Sequence, residues 1–248
     1  MKEFGSAAKT SFFYKRDKND LPNWKLSYEF KCASTEIELS KYLSEIDSQI
    51  TTPVAIISRQ QFSGFGRYDR KWFSPNGGIW MSAAYPVISN EFLTEIFSIS
   101  IAYFLCEMFL RESIEVKIKW PNDIFCGSKK LIGFLPGVVT RGKKIIYVRL
   151  GIGMNLNNHT PQQAISLSKI LGKKNLNESY WTSKILKVIY DAINYNQDRI
   201  SIIRGANKFL DKNLLPRDYE GSKWTISNIN SNGNLIIFKD KNYKILNS

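Results

Sequence analysis

The chain has 248 residues, enough for one sizeable domain and a small appendage, and its 43% hydrophobic and 13% aromatic content suits a packed core. It holds no apolar run long enough for a membrane-spanning helix, and three scattered cysteines (Cys32, Cys106, Cys126) with one histidine, His159, argue against a disulfide framework, a zinc site or two-histidine chemistry. The formal charge of +13 would suit an acidic partner, but the basic residues form no long block, so nucleic-acid binding is not expected and an acidic protein partner fits better.

Residues 1–20 are polar and charged, without an apolar signal core, and read as a flexible tail of a cytoplasmic protein. Trp24, Leu26, Tyr28 and Phe30 then alternate with polar residues, the period of a half-buried strand. Thr35, with Glu38 three residues on, reads as a capping box that opens a helix with Ile37, Leu39, Tyr42, Leu43 and Ile46 on its apolar face. Val54 to Ser58 and Gly78 to Tyr85 read as buried strands. Between them runs Gln-Phe-Ser-Gly-Phe-Gly-Arg-Tyr-Asp-Arg-Lys-Trp, residues 61–72. Gly64 and Gly66 free the backbone, Arg67, Arg70 and Lys71 bring positive charge, and Trp72 closes the segment with a flat apolar face. It reads as a loop that holds an anion, although a plain charged surface loop has the same composition. It is neither a dinucleotide fingerprint nor a P-loop: Asp69 stands where the third glycine belongs, and Gly-Lys-Ser/Thr is absent.

Asn90 is positioned to cap a long helix with a wide apolar stripe from Phe92 to Phe109. Ile114, Val116, Ile118 and Trp120 alternate as a strand that stops at Pro121. Turns at 126–129 and 141–143 lead into strands 131–139 and 145–153. Helical patterns occupy about 161–172, 179–200 and 201–212, and residues 221–246 are strand-rich around a hairpin turn at 231–234. The predicted class is α+β, a mixed or antiparallel sheet with helices packed on it.

Three further segments accompany the glycine loop. They are Lys117-Ile118-Lys119-Trp120-Pro121-Asn122-Asp123, Lys130-Leu131-Ile132-Gly133 and Gly151-Ile152-Gly153-Met154-Asn155. In order and spacing, these elements resemble the biotin protein ligase family, from about Trp24 to the C-terminus. The resemblance implies a catalytic domain over 21–212 and a short SH3-like β-domain over 213–248. It implies that biotin and ATP, with Mg²⁺, form biotinyl-5'-AMP, and that biotin then passes to a lysine of the biotin carboxyl carrier protein of acetyl-CoA carboxylase. Lys119 and Arg67 match the catalytic cations. Ser34, Thr35, Gln61, Gly64, Gly66, Arg67, Lys119 and Gly133 match biotin-site positions, and Arg70, Trp72 and Asn155 match ATP or adenylate positions. No metal ligand is implied. Bifunctional relatives carry a winged helix ahead of this domain; with the pattern already starting at Trp24, no specific DNA partner is expected. Phe65 departs from the usual loop arginine and Glu36 from the usual asparagine. A lipoate or octanoate transferase and a non-catalytic biotin-binding homologue stand as alternatives.

Overall fold

A computed structural model describes residues 5–16, 21–46, 50–87, 93–142, 144–194 and 199–247. Among them, seven strands form one sheet in the order β1-β2-β3-β7-β6-β5-β4: β1 Lys25–Glu29, β2 Val54–Ser58, β3 Ile79–Pro86, β4 Lys117–Lys119, β5 Asp123–Cys126, β6 Lys129–Arg141 and β7 Lys144–Met154. Only β1 and β2 pair in parallel; every other neighbouring pair is antiparallel. β2 is buried along its whole length, as its unbroken Val-Ala-Ile-Ile run requires.

Strand register gives the sheet two unlike faces. Met81 on β3 and Phe134 on β6 both pair with Ile152 on β7, and these large side chains face one way. That face is covered by α3 (Leu93–Arg111), α5 (Glu178–Asn194) and α6 (Arg199–Phe209). α3 is apolar almost all round because it is sandwiched between the sheet and the other two helices. Phe109 stacks on Trp181 with ring centroids 6.0 Å apart. On the opposite face, Ser82 pairs with Gly151, and Gly133 with Gly153. Small residues thus line up across three strands. α2 (Thr35–Ser44) covers only one part of that face, through Leu39 against Val54, Ile56 and Ala84. The remainder is left as a hollow.

The C-terminal piece is a three-stranded antiparallel meander of β8 (Thr225–Ile229), β9 (Leu235–Lys239) and β10 (Asn242–Leu246). The turn expected at 231–234 is present, with Gly233 at φ 78, a value that suits glycine. The Asn207 side chain clamps the Ile229 backbone through two hydrogen bonds of 2.8 and 2.9 Å, and Trp120 Nε1 donates to Gly233 O at 3.0 Å. These bonds tie the meander to the main body.

Several expectations need correction. The tail assigned to 1–20 contains α1 (Ala7–Lys15), which packs on α5: Thr10 and Tyr14 are buried, Thr10 Oγ1 lies 2.6 Å from Tyr28 Oη, and Phe13 meets Tyr180 edge-to-face. Its apolar residues are too few to show a stripe in a polar stretch. The α2 cap is Ser34, whose Oγ accepts from Glu36 N; Thr35 is the first helical residue and turns its hydroxyl inward. The strand expected over 114–120 is ordered as strand only at 117–119. The helix expected over 161–172 is the single turn α4 (Leu167–Ile170), because Lys130 and Ala164 pair as a bridge and draw 161–166 along the sheet edge. The Asn90 cap lies outside the described residues.

Candidate functional site

The hollow is a cavity of about 670 Å³. Every site residue named from the sequence lines it except Gly64. Its floor is the small-residue face of the sheet, and four elements place side chains around it.

At one end lies a polar cluster. Gln61 Oε1 accepts from Thr35 N (2.8 Å) and Thr35 Oγ1 (3.0 Å), and Gln61 Nε2 donates to Ser74 Oγ at 2.8 Å. With its one proton given to Gln61, the Thr35 hydroxyl accepts from Ser82 Oγ at 2.9 Å. The cluster joins the start of α2, the segment after β2 and the middle of β3. Ser34 keeps its O–H, and Gln61 Nε2 a second N–H, available to a ligand. Gly64 serves this cluster from outside the cavity. A Cβ there would lie 2.7 Å from Ser74 Oγ and 2.9 Å from Gln61 Nε2, so the missing side chain lets Gln61 and Ser74 meet.

Residues 64–72 form a short hairpin above the floor. Trp72 N donates to Gly64 O (2.8 Å) and Gly66 N to Arg70 O (2.7 Å), and a tight turn spans Arg67–Asp69. At its tip the exposed Tyr68 ring lies 5.3 Å from the Arg67 guanidinium and 5.4 Å from that of Arg70, and all three residues line the cavity. Phe65 also lines the cavity.

Trp72 crosses the floor, and Gly133 and Gly153 make room for it. A Cβ on Gly153 would sit 2.4 Å from Trp72 Nε1, and one on Gly133 2.8 Å from both the Trp72 ring and the Lys130 chain. In this state, then, the close approach at Gly133 and Gly153 is to the protein's own indole. Lys130 Nζ lies 4.8 Å from the Trp72 ring centre and 2.6 Å from Asp123 Oδ1. Asn122 Nδ2 donates to Phe134 O at 2.6 Å, and Phe134 N to Asn122 O at 3.0 Å. The Trp-Pro-Asn-Asp segment therefore fixes β6 and, through Lys130, the indole. Asn155 lines the cavity but is committed internally: its Oδ1 accepts from Asn158 Nδ2 at 2.9 Å.

Lys119, at the end of β4, points into the cavity with 19% of its side chain exposed. Its Nζ lies 2.6 Å from Glu220 Oε1. Glu220 follows a single turn, Arg217–Tyr219, whose Tyr219 meets Trp224 edge-to-face with Lys244 over both rings. A second ion pair backs the wall at Glu36, from outside the cavity: Arg149 donates to Glu36 Oε1 at 2.7 Å and to Ser40 Oγ at 2.8 Å. Arg149 and Glu220 escaped the sequence reading. Arg149 was findable, since it lies two residues before Gly151 on the same face of β7; nothing in the local sequence marks Glu220.

The arrangement can hold a ligand with a polar head at the Thr35–Gln61 end and an anionic group near Lys119, under a basic cover. The family model described as the biotin/lipoate A/B protein ligase family matches residues 33–155. The Bifunctional ligase/repressor BirA of Bacillus subtilis is 32% identical over 131 residues, 48% of this chain and 39% of that protein. Biotin--protein ligase 1 of Arabidopsis thaliana is 29% identical over 125 residues, 48% of this chain and 34% of that protein. The chain thus spans well under half the length of these curated relatives. The fold is that of the Aquifex aeolicus biotin protein ligase solved with biotin and ATP (TM-score 0.66, 22% identity, 90% of this chain and 96% of that one). It is also that of the Leishmania major enzyme solved with biotinyl-5-AMP (TM-score 0.66, 22% identity, 90% and 99%). The family match takes in every site residue named from the sequence, from Ser34 to Asn155, and on it residues 33–155 of this chain belong to the biotin/lipoate A/B protein ligase family.

Proposed function

We propose that this protein is an ATP-dependent biotin protein ligase that forms biotinyl-5'-AMP and transfers biotin to a lysine of an acidic carboxyl carrier domain in the cytoplasm. The observation that carries the choice within the family is the Ser34–Thr35–Gln61–Ser82 cluster at the closed end of the cavity. Its free donors, the Ser34 O–H and a Gln61 N–H, match the carbonyl oxygen of a cyclic urea. A saturated acyl tail would leave them without partners at about 1–3 kcal/mol each, which disfavours octanoate or lipoate.

In the first step a biotin carboxylate oxygen attacks the α-phosphorus of ATP and pyrophosphate leaves. Lys119 brings the two anions together, and Arg67 and Arg70 close over the phosphates as the hairpin settles, with Mg²⁺ arriving on the nucleotide. Trp72 offers a flat face to adenine, and its buried Nε1–H, which has no acceptor, is a donor that a ligand can satisfy. In the second step the carrier lysine amine attacks the acyl carbon and AMP departs. Neither step needs a covalent enzyme intermediate.

The test is pyrophosphate release from MgATP with biotin, lipoate or octanoate in parallel. Release with biotin alone supports the reading, release with octanoate or lipoate alone moves the protein to the other branch of its family, and release with none supports a binding homologue.

A further inference from the structure

We propose that Glu220 is an internal stand-in for the substrate carboxylate, and that it sets the affinity and selectivity of the site for the acid. The proposal rests on the ligase reading, in which Lys119 receives the carboxylate of biotin. That position is already taken: Glu220 Oε1 lies 2.6 Å from Lys119 Nζ, inside the same cavity. The backbone delivers the carboxylate deliberately. Asp211 N donates to Ile118 O at 2.9 Å, pinning the chain after α6 beside β4. The Arg217–Tyr219 turn is then anchored by Tyr219 against Trp224, just before β8, with Lys244 of β10 over both rings.

The two partners differ in freedom. Lys119 is mostly enclosed, whereas 53% of the Glu220 side chain is exposed, so Glu220 can swing to solvent while Lys119 stays. A half-exposed ion pair is weak enough to open and strong enough to be populated. It keeps the ammonium paired and closes the site to small stray carboxylates, which bring no other contacts. An acid that also fills the Thr35–Gln61 end can displace it. The apparent affinity for the acid is then the intrinsic one reduced by the fraction of molecules in which Glu220 is away.

The experiment is calorimetric titration of the parent, Glu220→Gln and Glu220→Ala with biotin and with biotin amide, which lacks the carboxylate. Octanoate and lipoate are titrated in parallel. Biotin should bind Glu220→Ala about three- to ten-fold more tightly than the parent, Glu220→Gln should fall between them, and the amide should bind all three alike. In a Lys119→Met background the Glu220 effect should vanish. Unchanged or weaker binding of biotin to Glu220→Ala overturns the proposal and leaves the ligase reading in place, as does an equal gain for acid and amide. A Glu220-dependent gain seen only with octanoate or lipoate keeps the proposal and removes biotin as the substrate. Binding of no acid to any variant overturns both.

Discussion

At the scale of single residues, the candidate site separates side chains that face the cavity from those that hold others in place. On the proposed ligase reading, Lys119→Ala removes the cation that brings the two substrates together, and adenylate formation should fall by about 10²–10³ in kcat. Its ion pair with Glu220 is half exposed and contributes little to folding, so the melting temperature should stay close to the parent's. Pyrophosphate release at the parent rate would remove Lys119 from its role. Phe65, the departure from the loop pattern of the resemblance, lines the cavity. Phe65→Arg adds a charged hydrogen-bond donor worth about 1.5–3 kcal/mol, one to two decades in biotin or biotinyl-5'-AMP affinity by calorimetry. Unchanged affinity would show that position 65 does not reach the ligand. Lys119, Gln61 and Thr35 were legible because they sit in short motifs. Glu36 was legible only as a departure, because its partner Arg149 is 113 positions away, and Glu220 lies 101 from Lys119. Pairs at such separations carry no local signature.

At the scale of elements, the 64–72 hairpin and the floor beneath it work as a unit. Across its neck run Trp72 N to Gly64 O and Gly66 N to Arg70 O, and its tip is exposed. Trypsin should cut after Arg67, Arg70 or Lys71, and biotin with MgATP should slow the cutting several-fold by adding contacts that close the hairpin. Equal rates with and without ligands would mean that the hairpin is no cover. The floor sets a complementary test. Gly153→Ala puts a methyl group 2.4 Å from Trp72 Nε1, so the indole must shift. Overpacking of this kind costs about 1–3 kcal/mol, and a lower melting temperature with weaker ATP binding should follow. A variant that melts like the parent would show that Trp72 is free to leave.

At the scale of the whole molecule, α1 folds back onto α5 and buries a polar seam among Thr10, Tyr28, Ser179 and Glu178. Ser6 N donates to Ser179 Oγ there, and Glu178 Oε1 is buried with no hydrogen-bond partner. Burial pushes the Glu178 carboxyl up to about 7, against a smaller lowering from the Gly5 backbone and Arg59. A carboxyl raised in the folded state binds its proton more tightly there than in the unfolded chain. Its contribution is therefore complete below the unfolded value, near pH 4, and is lost as pH rises through about 7. Glu178→Gln should melt like the parent at pH 4 and exceed it by about 1–3 kcal/mol at pH 8; an equal difference at both values would show that Glu178 does not titrate in this range. The alternation of apolar residues, the glycine loop, Lys-Trp-Pro-Asn-Asp and the Gly-x-Gly-x-Asn segment by themselves determined the α+β class, the central strands, the family resemblance and the motif-borne part of the cavity lining. Those features depend on residues within a few positions of one another, where periodicity and local chemistry act. Tertiary structure alone decided that α1 docks, that Gly133 and Gly153 seat Trp72, and that Glu220 holds Lys119. Each depends on which surfaces meet once the sheet has closed, and on burial that only the assembled chain creates.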